Sequence, residues 1–235
     1  MANPVIDGDF AVAADGRTLH VTCWGEGSPT ILLEAGIPSD GLVQFATYGR
    51  TFTSLLAART RTCAYDRAGS GSADPAPNQP RNLDDVTGDL HALLAAAQIA
   101  GPYVLVGSSG GGMIVTYYAA HYPDGVAGVV MLDVPAPSAT LNLQEAPELA
   151  WDSPQNPEHL DIVAEFENRL ANEQFPFAAA LIVITASEGQ SNVADQAFWL
   201  DWSPDASQLE LDGDHVIYNS QPQAVADQIF SLLAR

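Results

Sequence analysis

Val104-Leu105-Val106-Gly107-Ser108-Ser109-Gly110-Gly111-Gly112 decides how this chain folds. The apolar run reads as a buried strand, it breaks at a G-x-S-x-G, and a helical pattern starts near Met113. Strand, tight turn and helix in that order are the setting of a nucleophile elbow. Such a turn forces its central residue into a strained backbone conformation and lifts the side chain above the sheet. Residues two positions away must be nearly without side chains so that strand and helix can approach, and Gly107 and Gly111 meet that need. Ser109 is therefore the candidate nucleophile. The competing reading is a phosphate-binding or plain Gly-rich turn. The chain has no lysine, which excludes a Walker loop, and Gly107 to Gly112 lacks the G-x-G-x-x-G spacing of a dinucleotide fingerprint.

Outward from the elbow, strand and helix patterns alternate. Phe10 to Ala14 and Thr18 to Trp24 flank Asp15-Gly16, a hairpin turn signal. Further strands are expected at Thr30 to Glu34, Thr60 to Tyr65, Val126 to Leu132, Ala180 to Thr185 and Gln208 to Leu211. Helices are expected over Gln44 to Arg59, Leu83 to Ala100, the stretch from the elbow to His121, and from Gln221 onward. Apolar strands paired repeatedly with helices imply an α/β fold with a mostly parallel sheet covered on both faces. The alternation stops between Pro135 and Phe177, so residues 1–134 and 179–235 form the core and 135–178 a short lid insertion. Within that insertion Asn156-Pro157-Glu158 reads as a helix start, with Asn156 as cap. Leu160, Val163, Phe166 and Leu170 make an apolar stripe best explained by packing onto the body.

The 235 residues suit one large α/β domain, and 47% hydrophobic with 16% charged residues argues against disorder. A formal net charge of −21, with arginine as the sole strong base, repels nucleic acid and anionic membranes. The same lysine-free acidic surface suits high salt, where repulsion is screened, or reflects base composition alone. There is no run of eighteen apolar residues and no signal-peptide pattern at Met1 to Asp7, so a cytoplasmic location is expected. Cys23 and Cys63 each fall in an expected strand and read as packed thiols rather than metal ligands, with a disulfide as the alternative.

A serine nucleophile needs a base, a carboxylate to orient that base, and donors for the oxyanion. His215 fits the base, in the loop Leu211-Asp212-Gly213-Asp214-His215-Val216 after the last strand. His20 lies in a strand, His91 and His121 on helices, and His159 in the insertion, so these four read as structural.

The chain resembles the α/β-hydrolase fold family, in particular its small serine esterase and proline-iminopeptidase-like group. The matching pieces are Leu33-Glu34-Ala35-Gly36-Ile37-Pro38, Tyr65-Asp66-Arg67-Ala68-Gly69-Ser70-Gly71, Gly107-Ser108-Ser109-Gly110-Gly111, Tyr122-Pro123 with Val126 to Val130, and Gly213-Asp214-His215. The resemblance implies an eight-stranded, mostly parallel sheet whose antiparallel second strand neighbours the fourth. It also implies an oxyanion hole from the backbone N–H groups of Ile37 and Gly110. In relatives this loop usually reads His-Gly where the chain has Ala35-Gly36, and histidine often stands at the position of Ser108.

The usual acid of that family follows the seventh strand, where this chain has Gly189, with Glu188 one residue short. A minority arrangement puts the acid after the sixth strand, and Asp133 stands there. Asp133 is preferred and Glu188 is the alternative. The expectation is a serine carboxylesterase acting on a small-molecule ester through an acyl-enzyme on Ser109, with no metal or organic cofactor. Serine at the elbow argues against dehalogenase or epoxide hydrolase chemistry, which in this fold uses a carboxylate nucleophile. Trp151, Phe166, Phe175, Phe177 and Trp199 are candidates for the acyl pocket, with Trp202 near its entrance. An aminopeptidase is the first alternative, with Glu145, Glu148, Glu165 and Glu167 available to hold a substrate amine. Perhydrolase or C–C hydrolase chemistry would use the same triad, and a non-catalytic receptor of the same fold is the remaining alternative.

Overall fold

The computed structural model describes residues 3–13, 16–38, 41–137, 143 and 146–233. Its strands are β1 (Ile6–Ala11), β2 (Thr18–Trp24), β3 (Thr30–Glu34), β4 (Thr62–Asp66), β5 (Tyr103–Ser108), β6 (Val126–Leu132), β7 (Ala180–Glu188) and β8 (Ala206–Asp214). They form one sheet in the order β1-β2-β4-β3-β5-β6-β7-β8. β2 runs antiparallel to both its neighbours, β1 and β4, and every other pairing is parallel. Asp15 of the expected hairpin turn lies outside the described residues.

The helices are α1 (Arg50–Ala57), α2 (Leu83–Ala96), α3 (Gly111–His121), the short α4 (Val193–Gln196) and α5 (Ile217–Ser220), and α6 (Pro222–Leu232). α2 starts where the sequence changes character: Asn82 caps it, and Asp85 returns a bond to the Asn82 amide. The central strands send alternate residues to opposite faces. Leu32, Leu105, Val129, Met131 and Val183 pack with α2 and α3 on one side. Ile31, Leu33, Val106, Val130 and Ile184 pack with α1, α5 and α6 on the other. Because both faces are covered, these strands are apolar throughout rather than alternating with polar residues.

Register then sets the site. Gly107 of β5 lies level with Glu34 of β3 and with Met131 of β6, and Leu132 lies level with Ile184 of β7. The loops leaving β3, β5, β6 and β7 therefore emerge side by side at one edge of the sheet. Ligand sites of open parallel sheets form beyond such carboxyl ends.

The segment between β6 and β7 is bound firmly to the body. Arg67, in the turn after β4, makes a two-pronged ion pair with Glu158, at 2.6 Å from Nε and 2.9 Å from Nη2. Leu160 bridges to Arg81, and Arg169 reaches Asp84 at 3.1 Å. Leu160, Ile162, Phe166, Leu170 and Phe177 are all buried in the α2–α3 side of the core. The apolar stripe thus packs onto the body as expected, but its helix begins later than the sequence suggests. The helical turns centre on Ala164–Leu170 and are capped by Asp161, which accepts from the Ala164 amide at 3.0 Å. Asn156 is instead buried and donates to the carbonyls of Ala150 and Leu160.

The cysteines require a second correction. Cys23 and Cys63 are joined in a disulfide, not packed as thiols. The reason is register: in the antiparallel β2–β4 pair they stand directly opposite, with Cα atoms 4.0 Å apart. Closing the 40-residue separation restricts the unfolded chain, a contribution of about 3–4 kcal/mol in the loop-entropy account. The Cys23→Ala/Cys63→Ala variant is expected to melt roughly 10 °C below the oxidised wild type. Calorimetry of the two proteins, with thiol titration under denaturing conditions, checks this, and equal melting temperatures would refute it.

Candidate active site

Ser109 stands at the turn between β5 and α3 with a φ of 51°, a conformation that costs a residue carrying Cβ. Neighbouring elements hold it there. The Ser109 amide donates to Leu132 O at 2.9 Å, and the Ser109 carbonyl accepts from Gly112 N at 2.9 Å. A Cβ at Gly107 would come within 2.6 Å of Gly111 O, so the approach of strand and helix needs glycine here.

Asp133 leaves the end of β6 with a φ of 48° and its side chain fully buried. Its amide donates to Ile184 O at 2.8 Å, tying the turn to β7. Four donors converge on the carboxylate: the Ala186 amide at 3.2 Å, the Gln190 amide at 3.1 Å, Gln196 Nε2 at 2.8 Å and His215 Nδ1 at 2.6 Å. Burial by itself would raise the Asp133 pKa, but the bonds from His215, Gln190, Gln196 and Ala186 outweigh it and hold the carboxyl below the usual aspartate value. An ionised Asp133 can only accept, so His215 Nδ1 is the donor in the short contact, and the ring is oriented with Nε2 on its other side.

Gly189 leaves room for the Asp133 carboxylate. A Cβ at Gly189 would lie 2.2 Å from Asp133 Oδ2 and 2.5 Å from Oδ1. The carboxylate of Asp133 fills the space next to the β7 turn, and the residue there must give way. Glu188 is exposed at the end of β7, paired through its backbone with Asp214, and its side chain has no hydrogen-bond partner among the described residues.

Ser109 and His215 line one cavity of about 660 Å³, together with Gly36, Ile37, Pro38, Gln44, Tyr48 and Tyr218, among others. Neither Ser109 Oγ nor His215 Nε2 has a hydrogen-bond partner among the described residues, so the two make no direct bond in this unliganded geometry; such bonds commonly tighten only in the substrate complex. Ile37 packs its side chain against Gly110, and among the described residues the amides of both are without acceptors. Two unpartnered amides beside a serine can stabilise a developing oxyanion. No group of three or more His, Cys, Asp or Glu among the described residues is arranged to hold a metal ion.

None of the five aromatic residues expected to form the pocket lines this cavity. Phe166, Phe177 and Trp199 are core residues, and Trp199 donates to Val134 O at 3.3 Å. Trp202 is fully buried as well, so it lines no entrance. Trp151 meets His159 edge to face, and Phe175 packs on Tyr117 and Trp202. A large aromatic side chain gains most by burying its apolar area fully in a core. Of the candidate glutamates among the described residues, Glu148 alone lines the cavity. Glu165 is buried against the Leu83 amide and Arg169, Glu167 lies on the same helical segment, and Glu145 is outside the described residues. His20, His91, His121 and His159 are held elsewhere by Asp9, Tyr118, Tyr117 O and Trp151 O.

Sequence reading missed Gln44, Tyr218, Gln190 and Gln196. Gln44 opens a π-helical turn (Gln44–Tyr48), an irregularity often found at functional sites, and accepts from the Gly36 amide at 3.0 Å. Burial raises the Tyr218 hydroxyl to about 12, with a hydrogen bond from Gln44 working the other way. No spacing marked these residues, because their contacts join segments far apart in the chain.

A family model described as alpha/beta hydrolase fold matches residues 29–165. The chain belongs to the α/β-hydrolase fold family. Among curated relatives, an uncharacterized protein of Schizosaccharomyces pombe is 28% identical over 147 residues, which cover 53% of this chain and 27% of that protein. The match thus spans about a quarter of that relative's length. Among solved structures, the epoxide hydrolase CorEH is similar with a TM-score of 0.77 at 14% identity, covering 97% of this chain and 98% of that one. Est816, described as an N-acyl homoserine lactone degrading enzyme, is similar with a TM-score of 0.74 at 19% identity, covering 95% and 99%. At these identities the structural likenesses concern the fold.

Two outcomes follow from the Asp133 cluster. Gly189→Ala crowds the carboxylate and is expected to cost about 1–3 kcal/mol in urea unfolding; an unchanged midpoint would contradict the close approach. Ionised Asp133 stabilises the fold above about pH 4, the ordinary aspartate value, and that contribution is lost as pH falls toward the lower folded-state value. The stability gap between wild type and Asp133→Asn should therefore narrow on acidification from pH 7 to pH 3, and a constant gap would overturn the assignment.

Proposed function

We propose that the protein is a serine hydrolase that cleaves carboxylic esters. One observation carries the reading: His215 is fixed by the buried Asp133 carboxylate at 2.6 Å beside a cavity that Ser109 also lines. Ser109 attacks the ester carbonyl while His215 Nε2 takes its proton, and Asp133 stabilises the resulting imidazolium. The amides of Ile37 and Gly110 receive the oxyanion, each donor contributing about 2.7–4 kcal/mol to transition-state stabilisation. The alcohol leaves with the proton from His215, and water then releases the acid by the same route. Est816 is described as degrading an N-acyl homoserine lactone, a molecule that contains a cyclic ester, and this agrees with an ester substrate here. The epoxide hydrolase neighbour supports only the fold, and the serine at the elbow weighs against its chemistry in this chain.

The cavity contains Glu148 and no lysine or arginine among its lining residues, so neutral or positively charged substrates are favoured over anionic ones. This supports a second reading, removal of an amine-bearing residue from an ester or amide, with Glu148 pairing the ammonium group. The Cys23–Cys63 disulfide weighs against the cytoplasmic location expected from the sequence, because disulfides persist mainly in oxidising compartments.

Hydrolysis of p-nitrophenyl esters of increasing acyl length tests the proposal. Ser109→Ala should abolish turnover, Asp133→Asn should lower kcat by about 10³–10⁴-fold, and Glu188→Gln should leave it within about twofold. Loss confined to Glu188→Gln would overturn the acid, and full activity in Ser109→Ala would overturn the mechanism. Faster release from aminoacyl p-nitroanilides than from uncharged esters, lost in Glu148→Gln, would select the second reading.

A further inference from the structure

The loop that carries Ile37 is held from outside the cavity. Arg67 is buried, and its guanidinium donates to two successive backbone carbonyls, Ala35 O from Nη1 at 2.8 Å and Gly36 O from Nη2 at 2.6 Å. The remaining donors are taken by Glu158 and by the buried Glu34. On the other side, Gln44 Oε1 accepts from the Gly36 amide at 3.0 Å.

These bonds act on whole peptide planes. The Gly36–Ile37 bond is trans, and a trans peptide points its carbonyl and its N–H in opposite directions. Drawing Gly36 O toward the guanidinium therefore turns the Ile37 N–H away from Arg67, toward the cavity that Ile37 lines. The preceding plane is pinned at both ends, its carbonyl (Ala35 O) on Arg67 and its N–H (Gly36) on Gln44. Of the groups in these two planes, the Ile37 amide alone has no partner among the described residues. The alanine at position 35 supplies no side chain that could hold the loop.

We infer that Arg67 and Gln44 are positioning residues that together aim the Ile37 amide at the oxyanion. This rests on the acyl-enzyme reading of the site. Neither residue takes part in proton transfer; both act through the loop. Arg67 fixes the direction of the donor, and Gln44, which also lines the cavity, limits rotation of the plane before it. The two-pronged bond to Glu158 holds the guanidinium in the plane needed to reach both carbonyls.

The experiment compares wild type, Gln44→Met and Arg67→Lys by ester kinetics, by inhibition with a trifluoromethyl ketone that mimics the oxyanion, and by amide hydrogen exchange. Misdirecting one oxyanion donor should lower kcat by about 10-fold or more with KM within about threefold, and weaken the ketone in proportion to the loss in kcat/KM. General loosening of the fold would not produce that proportionality. Exchange of the Gly36 amide should quicken in Gln44→Met. Folded variants that keep kcat and ketone affinity within about twofold of wild type would overturn the inference. If Arg67→Lys does not fold, Gln44→Met decides. If wild type turns over no ester, the proposed function fails separately, and unchanged Gly36 exchange in Gln44→Met would still overturn the clamp.

Discussion

A fully buried carboxylate with four hydrogen-bond donors organises the carboxyl edge of this sheet. Asp133 joins β6 to β7 through the amide of Ala186, to the loop after β7 through that of Gln190, to α4 through Gln196, and to the loop after β8 through His215. A charge removed from water at this depth is tolerated only with such compensation. Each partner is therefore constrained by the need to reach the same two oxygens. The arrangement orders a histidine and three separate segments with one side chain.

Two residues at this edge accept unfavourable backbone conformations, Ser109 at a φ of 51° and Asp133 at 48°. They sit at the ends of adjacent strands and are linked through the bond from the Ser109 amide to Leu132 O. Conformations of this kind persist only where surrounding structure over-determines them. Here the flanking β3, β6 and β7 strands and the onset of α3 do so. The strain is coupled to placement, since each residue must leave its strand abruptly for its side chain to face the cavity rather than continue along the sheet.

Arg67 performs the corresponding task on the other side of the cavity. It gathers the end of β3, the loop beyond it and Glu158 of the segment between β6 and β7 around one guanidinium. Because Glu158 comes from the same segment that brings Glu148 to the cavity, the loop that carries Ile37 and one cavity wall share an anchor. Replacing that ion pair by apolar groups would fill the space but would not orient two carbonyls, which requires donors in a fixed planar fork.

The sequence by itself determined the parallel α/β architecture, the elbow around Ser109 and the place of His215. Local pattern is enough for these: short continuous apolar runs and period-3.6 patterns specify the elements, and a glycine-flanked serine between strand and helix has few other structural uses. Asp133 and Ile37 were legible only with the family resemblance, because a carboxylate or an amide at a strand end looks the same whether or not it serves a site. Tertiary structure decided the rest. It placed Cys23 opposite Cys63, turned Phe166, Phe177 and Trp199 into the core, and brought Gln44, Gln190 and Gln196 to the site. Those outcomes depend on register and on contacts between distant segments, and a one-dimensional pattern carries neither: a buried apolar position reads alike in a core and in a pocket, and a glutamine acquires its role only from what the folded chain sets beside it.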